Sequence, residues 1–425
     1  MDFTFIHAAD IHLDSPLRGL EKYEGAPVER IRNATREAFK NLIDFTIEKK
    51  VEFLILAGDL YDGDWKDYNT GLFFINQMTR LHKENINVYL IRGNHDAANL
   101  ITKELKLPDN VLEFTVDEPS TFIIENLQVA LHGQGFASRA VTENIVKSYP
   151  TKKDGYVNIG LLHTSLTGRE GHENYAPCSL EDLKEKGYDY WALGHIHLRE
   201  VLHEKNPVVL FPGNIQGRHV KETGNKGCTI VSVKQGEIEK YEHHSLDVLR
   251  WAICDVDVTE CESVQEVIEA ARIHLEKIYE QAEGKFLAVR FKLSGVTDVH
   301  QQLVVEKEHV MNNLRSMALE VGYGDIWIEK LKIDTTRKID IEEWKEKSTP
   351  IATILEYMEE IRDNEEIFTL LLDEFKDLQT SLPHELKSIE GGVDLSDSST
   401  LTNRMKEVED LVLHYLTKKV GEETS

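Results

Sequence analysis

The sequence predicts an α/β fold in which short apolar strands alternate with amphipathic helices, followed by a smaller α+β segment and a helical tail. Two observations carry this prediction. Residues 3–8, 53–57, 88–91, 159–162 and 190–193 are short apolar runs with the length of buried strands. Between the first three, residues 28–49 and 70–83 place apolar side chains at helical spacing: Ile31, Ala34, Ala38, Leu42 and Phe45, then Leu72, Phe73, Ile75, Met78 and Leu81. Strands and helices in alternation make a sheet covered by helices, and such sheets bind ligands outside the carboxyl ends of their strands.

The alternation continues through strands at 208–211, 228–233 and 238–243, the last two joined by a hairpin turn at Lys234-Gln-Gly236-Glu. From Arg250 the pattern changes to strand 251–258, helix 263–282, strand 286–293, helix 304–321 and strand 326–333, a β-α-β-α-β unit. Thr349-Pro350 then suits a helix start, with Ile354, Leu355, Met358 and Ile361 on one stripe. The same style runs from 367 to Pro383, and Leu401, Met405, Val408, Leu411, Val412 and Tyr415 form a further stripe after Gly391-Gly392. At 425 residues the chain exceeds one ordinary domain, and these changes divide it at 1–247, 248–337 and 338–425.

Hydrophobic residues make up 41% of the chain, enough for a substantial core. With 75 acidic and 49 basic residues the net charge is -26, which argues against coating nucleic acid through bulk charge but leaves room for a local basic groove. Cys178, Cys228, Cys254 and Cys261 have no CxxC spacing and read as free buried thiols suited to a reducing cytoplasm. No signal core and no membrane span are expected.

The chemistry lies where the strands end. Asp10-Ile-His12, Gly58-Asp59-Leu-Tyr-Asp62 and Gly93-Asn94-His95-Asp96 follow the first three runs, His163 closes the fourth, and Gly194-His195-Ile-His197 follows the fifth. Carboxylate, amide oxygen and imidazole together suit Mn, Fe or Zn better than the all-oxygen preferences of Mg or Ca. Two such cations close together can clamp the attacking and leaving oxygens of a phosphoester and acidify a bound water. Gly-Asp at a strand end is by itself often only a turn, and a lone histidine is usually structural; five such segments in order leave little room for that reading. His7, His132 and the His243-His244 pair lack partners at ligand spacing and read as structural, with His132 the best placed to lie near a site.

In this order, Asp-x-His, Gly-Asp-x-x-Asp, Gly-Asn-His-Asp, a lone His and Gly-His-x-His resemble the calcineurin-like metallophosphoesterases over about the first 245 residues. That resemblance implies a sandwich of central β-sheets flanked by helices. It further implies that Asp10, His12 and His197 hold one metal, that Asn94, His163 and His195 hold the other, and that Asp59 bridges them. His95 would protonate the leaving oxygen with Asp96 orienting its ring, and Asp62 would fix a ligand or the phosphate region. Tyr188-Asp-Tyr-Trp-Ala-Leu-Gly-His-Ile-His197, Phe211-Pro-Gly-Asn-Ile-Gln-Gly-Arg218, Glu222 and Lys226-Gly227 resemble the SbcD-type DNA repair exonucleases, and Asp10-Ile-His-Leu-Asp-Ser-Pro16 and His132-Gly-Gln-Gly135 resemble their YhaO-like branch.

The narrower resemblance implies a cytoplasmic DNA exonuclease using two divalent ions, Mn2+ first among them, with a capping domain at 248–337. Helices in 338–425 would dock an SbcC-type coiled-coil ATPase, and a homodimer is compatible with the family. Arg218 and Arg92 are the candidate substrate contacts. Phosphoprotein phosphatase or cyclic-nucleotide phosphodiesterase activity on the same core, and a docking scaffold for the ATPase, are the alternatives. Against the phosphatase, Asp62 is followed by Gly63-Asp64 and not by the Arg-Gly phosphate clamp.

Overall fold

A computed structural model describes residues 1–15, 26–62, 68–97, 106–139, 141–166, 175–337 and 350–364, with isolated positions beyond. It divides into two compact units. The first comprises Met1–Ile253, Ile278–Arg290 and Gly322–Glu329; the second comprises Cys254–Lys277, Phe291–Val321 and Lys330–Ser425.

Two sheets form the heart of the first unit. Strands β1 (Phe3–Ala8), β2 (Phe53–Ala57), β3 (Asn87–Ile91) and β4 (Val111–Glu113) run parallel, and the β11 (Gly227–Lys234) and β12 (Glu237–Ser245) hairpin adds antiparallel to β1, giving the order β12-β11-β1-β2-β3-β4. The second sheet has the order β5-β6-β7-β8-β10-β9, from β5 (Ser120–Ile124), β6 (Val129–Gly133), β7 (Val157–His163), β8 (Tyr190–Gly194), β9 (Glu200–His203) and β10 (Val208–Phe211). Its inner strands β6, β7, β8 and β10 are parallel.

Alternate residues of these buried strands serve two cores, because successive side chains leave opposite faces. Phe5, Phe53, Ile55, Leu131, Ile159, Tyr190 and Leu210 fill one core between the sheets, where the rings of Phe5 and Phe53 stack at 5.0 Å. Ile6, Leu54, Leu56 and Val88 point the other way, onto Phe39 and Leu42 of helix α1 (Val28–Lys49) and Phe74 of helix α2 (Tyr68–Lys83). This is the expected metallophosphoesterase sandwich.

The hairpin turn falls where the sequence places it, with Gln235 at φ 53° and Gly236 at φ 83° matching the twist of the strands it joins. Strands β4, β5 and β9 had no counterpart in the sequence reading. All three are half-exposed and short, so no apolar run marks them. Helix 304–321 is corrected to two helices, His300–Val305 and Lys307–Gly322, because Glu306 at φ -99° and ψ 25° leaves the helical region between them. Strands β13 (Leu249–Asp257), β14 (Phe286–Val296) and β15 (Ile326–Thr336) form a three-stranded sheet in that order. In the second unit His300 Nδ1 meets Thr335 Oγ1 at 2.8 Å. Pro350–Asp363 is helical as predicted, whereas the stripes assigned to 367–382 and 401–415 lie almost wholly outside the described residues.

His7 is fully buried between the sheets, its ring nitrogens 3.0 Å from Tyr190 Oη and 3.1 Å from the Leu193 carbonyl. Burial pushes its pKa down to about 3, only partly opposed by the Leu193 carbonyl. An unfolded chain takes up this proton near pH ~6.5, so acid favours the unfolded state throughout the window between that value and about 3. Lowering the pH from 7 to 5 should therefore cost about 2 kcal/mol through His7 alone, at ~1.4 kcal/mol per unit. Denaturant unfolding of the His7→Gln protein should show a pH dependence flatter by that amount; an unchanged slope would refute it.

Candidate metal centre

The strand ends of both sheets meet at one rim. After β1 the chain runs beside the segment after β2, with Asp10 N–H donating to the Gly58 carbonyl (3.0 Å), His12 N–H to Asp59 (3.0 Å) and Leu13 N–H to Leu60 (2.9 Å). This pairing holds Asp10 (φ 52°), His12 (φ 47°) and Asp59 (φ 53°) in left-handed conformations, and His195 has φ 102°. Such conformations cost roughly 1–3 kcal/mol each in non-glycine residues, and they cluster where geometry serves chemistry. The motif glycines answer a different need. A Cβ on Gly194 would stand 1.9 Å from the Ala57 carbonyl oxygen, and one on Gly93 would stand 2.2 Å from Asp59 Oδ1.

Three groups of donors converge here, and two of them carry the residues assigned to the metals. Asp10, His12 and His197 form one, with His12 Nε2 3.1 Å from His197 Nε2 and Asp10 Oδ1 3.9 Å from the latter. Asp59, His163 and His195 form the other, and Asn94 Oδ1 lies 3.0 Å from His163 Nε2. Asp59 Oδ2 lies between the groups, 3.8 Å from His12 Nε2 and 3.4 Å from His163 Nε2. Every residue assigned to the two metals from sequence is thus brought together, with Asp59 in the shared position.

The chemistry of these donors fits cations. His163 Nδ1 faces the Ala57 carbonyl at 3.0 Å and His197 Nδ1 faces Glu222 Oε1 at 2.7 Å, so each ring carries its proton there and aims an Nε2 lone pair into the cluster. Those lone pairs confront carboxylate and amide oxygens, an arrangement that needs positive charge between them. Asp10 and Asp59 are both buried, and among the described residues neither forms an ion pair with lysine or arginine. Burial raises Asp10; in Asp59 burial is outweighed by His163, then His12 and His95, which hold its carboxyl well below the usual range. Burial would lower His163, yet the Asp59 carboxylate lifts it to about 9, so a cation entering the cluster would take the place of the proton on Nε2. A mixed oxygen and imidazole shell is the preference of borderline divalent cations.

His95 belongs to the third group, with His12 and Asp62, and its Nδ1 lies 2.9 Å from Asp62 Oδ1. The expectation that Asp96 orients this ring is corrected. The Asp96 carboxylate accepts from the backbone N–H groups of Leu60 (3.1 Å), Tyr61 (2.9 Å) and Gly93 (3.0 Å), so it braces the turns that carry Asp59 and Asn94. Burial, with Asp59 nearby, pushes its pKa up to about 6. Asp62 holds the ring-orienting position. Burial depresses His95, but the pairing with Asp62 and the charge of Asp59 prevail and raise it.

Arg218 reaches the site, its Nη1 3.4 Å from Asp62 Oδ2 and its Nη2 3.6 Å from Glu222 Oε1. Arg92 does not: its guanidinium forms a bidentate pair with Glu113, which corrects its assignment as a phosphate contact. His132 is structural, lying 2.9 Å from Thr121 Oγ1 and 3.1 Å from Asn158 Oδ1 and stacked on Tyr188.

Glu222 is the site residue that the spacing of ligands could not reveal. Besides holding His197, it accepts from Asn214 Nδ2 (2.9 Å) and Arg218 N–H (2.7 Å), while Lys226 Nζ donates to the His197 carbonyl (3.0 Å). Burial would raise Glu222, but His197 and Arg218 hold it well below the usual carboxylate range. Its only signal in sequence was its place in the segment following the last motif. Replacing such a supporting carboxylate costs about 10–100-fold in metal affinity. Glu222→Gln should show that loss in a Mn2+ titration followed by calorimetry, with the fold unchanged by circular dichroism; undiminished affinity would remove Glu222 from this role.

Two family models match the chain: Calcineurin-like phosphoesterase over residues 3–199, and Metallophosphoesterase YhaO, middle domain, over 251–336. Uncharacterized metallophosphoesterase YhaO of Bacillus subtilis is 39% identical over 297 residues, covering 69% of this chain and 72% of that one. DNA double-strand break repair protein Mre11 of Archaeoglobus fulgidus is 22% identical over 87% of this chain and 84% of its own length. The Mre11 protein of Sulfolobus acidocaldarius is 22% identical over 71% of this chain and 78% of its own. Identity near two in five, sustained over more than two thirds of both chains, joins this sequence to YhaO, and it belongs to the calcineurin-like metallophosphoesterases.

Proposed function

We propose that this metallophosphoesterase is a Mn2+-dependent phosphodiesterase acting on DNA, the exonuclease partner of an SbcC-type coiled-coil ATPase. The placement of His95 carries the hydrolytic reading: it adjoins the paired donor groups, is oriented by Asp62, and keeps a quarter of its side chain exposed (27%) where the strictly buried donors do not. DNA as substrate draws support from relatives named for DNA double-strand break repair, one of which aligns with 87% of this chain and so extends past the phosphoesterase core.

Two divalent ions held by Asp10, His12, His197, Asp59, Asn94, His163 and His195 would supply Lewis acidity and an acidified water. The rest falls to the protein. Asp59, reaching both donor groups, fixes their spacing. Glu222 and the Ala57 carbonyl fix the rings of His197 and His163. His95 delivers a proton to the departing oxygen, with its other ring nitrogen held by Asp62.

Docking of the ATPase belongs in this reading to the region from residue 338 onward, where Pro350–Asp363 is a described helix. The buried thiols of Cys178, Cys228 and Cys254, none of them in a disulfide, fit a reducing cytoplasm, and among the described residues no helix is long and apolar enough to cross a membrane.

The decisive assay offers end-labelled single-stranded, duplex and hairpin DNA with Mn2+ or Mg2+ to the protein and to His95→Asn. Removing the proton donor should cost at least about 100-fold in cleavage, with metal content retained. Metal lost together with activity would place His95 among the ligands instead. Intact DNA together with phosphate released from a phosphopeptide would establish the phosphatase alternative.

A further inference from the structure

Ser15 takes no part in the ligand set, yet it touches the residue that orients His95. Its Oγ donates to Asp62 Oδ2 at 2.5 Å, and Arg218 Nη1 donates to Ser15 Oγ at 3.3 Å. The two oxygens of Asp62 are thereby divided. Oδ2 faces Ser15 and, at 3.4 Å, Arg218, while Oδ1 faces His95 Nδ1 at 2.9 Å and His12 Nδ1 at 3.8 Å.

Ser15 is itself held from behind. Asp14, left-handed at φ 55°, accepts from Arg36 Nε (2.6 Å) and Nη2 (2.5 Å) and from Thr70 Oγ1 (2.5 Å), which anchors it on α1 and α2 together. Its N–H points to Thr35 Oγ1 at 3.4 Å, and the Ser15 N–H donates to the His12 carbonyl at 3.2 Å. The serine is thus presented by two core helices to a carboxylate that is 17% exposed.

We propose that Ser15 is a positioning residue for the hydrolytic step: it locks Asp62 by one oxygen so that the other faces His95, and so governs proton delivery to the leaving group. Arg218 alone cannot do this, because its contact with Oδ2 is long and its other terminal nitrogen faces Glu222. The inference rests on the phosphodiesterase reading above. It adds that Asp14, Arg36 and Thr70 serve the site through Ser15.

The test compares Ser15→Ala and Ser15→Thr with the unaltered protein, loaded with Mn2+, on two phosphodiesters. A thymidine dinucleotide leaves as an alkoxide and needs the acid; bis(p-nitrophenyl) phosphate leaves as a stabilised phenolate and needs it far less. Loss of a hydrogen bond to a charged partner predicts a fall of about tenfold in kcat on the dinucleotide for Ser15→Ala, a much smaller fall on the aryl diester, unchanged KM and metal content, and recovery in Ser15→Thr. Equal losses on both substrates, or none on either, overturn the proposal. Nitrogen-15 NMR of histidine-labelled protein reads the same geometry without turnover: the His95 ring N–H facing Asp62 should be protected from exchange in the unaltered protein and exposed in Ser15→Ala, and equal protection in both overturns the placement. A protein inert toward both diesters would sink the phosphodiesterase reading, while the NMR comparison still decides the role of Ser15.

Discussion

The site depends on how closely the two sheets approach at their carboxyl ends. Gly194 on one sheet lies so near the Ala57 carbonyl on the other that a Cβ would stand 1.9 Å from its oxygen. That approach lets His163, ending β7, point its Nδ1 at the same carbonyl while its Nε2 reaches Asn94 and Asp59. Separating the sheets by the width of one methyl group would pull Asp59 and His163 out of reach of a common ion, since coordination distances tolerate only a few tenths of an ångström. The aromatic core between the sheets, with Phe5, Phe53 and Tyr190 in contact, sets the spacing from behind. Packing and coordination are therefore one constraint seen from two sides.

Much of this was legible in sequence because strand ends and ligand types coincide. A buried strand reads as an apolar run, and although one carboxylate or imidazole after it is often structural, five such segments in order are hard to account for that way. The five segments therefore pointed to the fold, the residues they carry converge at one rim, and the boundaries of α1 agree with the spacing of Ile31, Ala34, Ala38 and Leu42. What stayed hidden was orientation. Asp96 adjoins His95 in the chain, whereas Asp62 lies far from it, after β2; the three backbone N–H groups that capture Asp96 leave Asp62 as the carboxylate paired with the ring. Arg92 was misread for a similar reason. Its partner Glu113 sits on the short strand β4, which no periodicity announces.

Backbone strain and buried charge also fall where a sequence gives no warning. Asp10, His12 and Asp59 all adopt left-handed conformations that ordinary residues avoid, and Asp10 and Asp59 are carboxylates buried to 1% exposure. Each feature opposes folding: strain through the backbone and burial through lost hydration. A ligand that binds only the folded state returns stability in proportion to its affinity. Binding of divalent ions here would thus stabilise the fold at the place where the chain is least favourable to itself, and would couple metal occupancy to the integrity of both sheet edges.

The gradient of exposure across the centre marks its open side. Asp10 and His163 have fully buried side chains and His12 is buried to 1%, whereas His197 (25%), His95 (27%), Asp62 (17%) and Arg218 (16%) line the open side. Most donors sit deep, while His197 shares the rim with His95, Asp62 and Arg218. Arg218 illustrates the compromise. Held between Asp62 and Glu222, its charge is balanced before any substrate arrives, so a phosphate must compete with those carboxylates for it. The same contacts link the two supporting acids, Glu222 behind His197 and Asp62 behind His95. A substrate that draws Arg218 toward itself would relax its hold on both, leaving Ser15 as the remaining hydrogen-bonding anchor on Asp62 Oδ2.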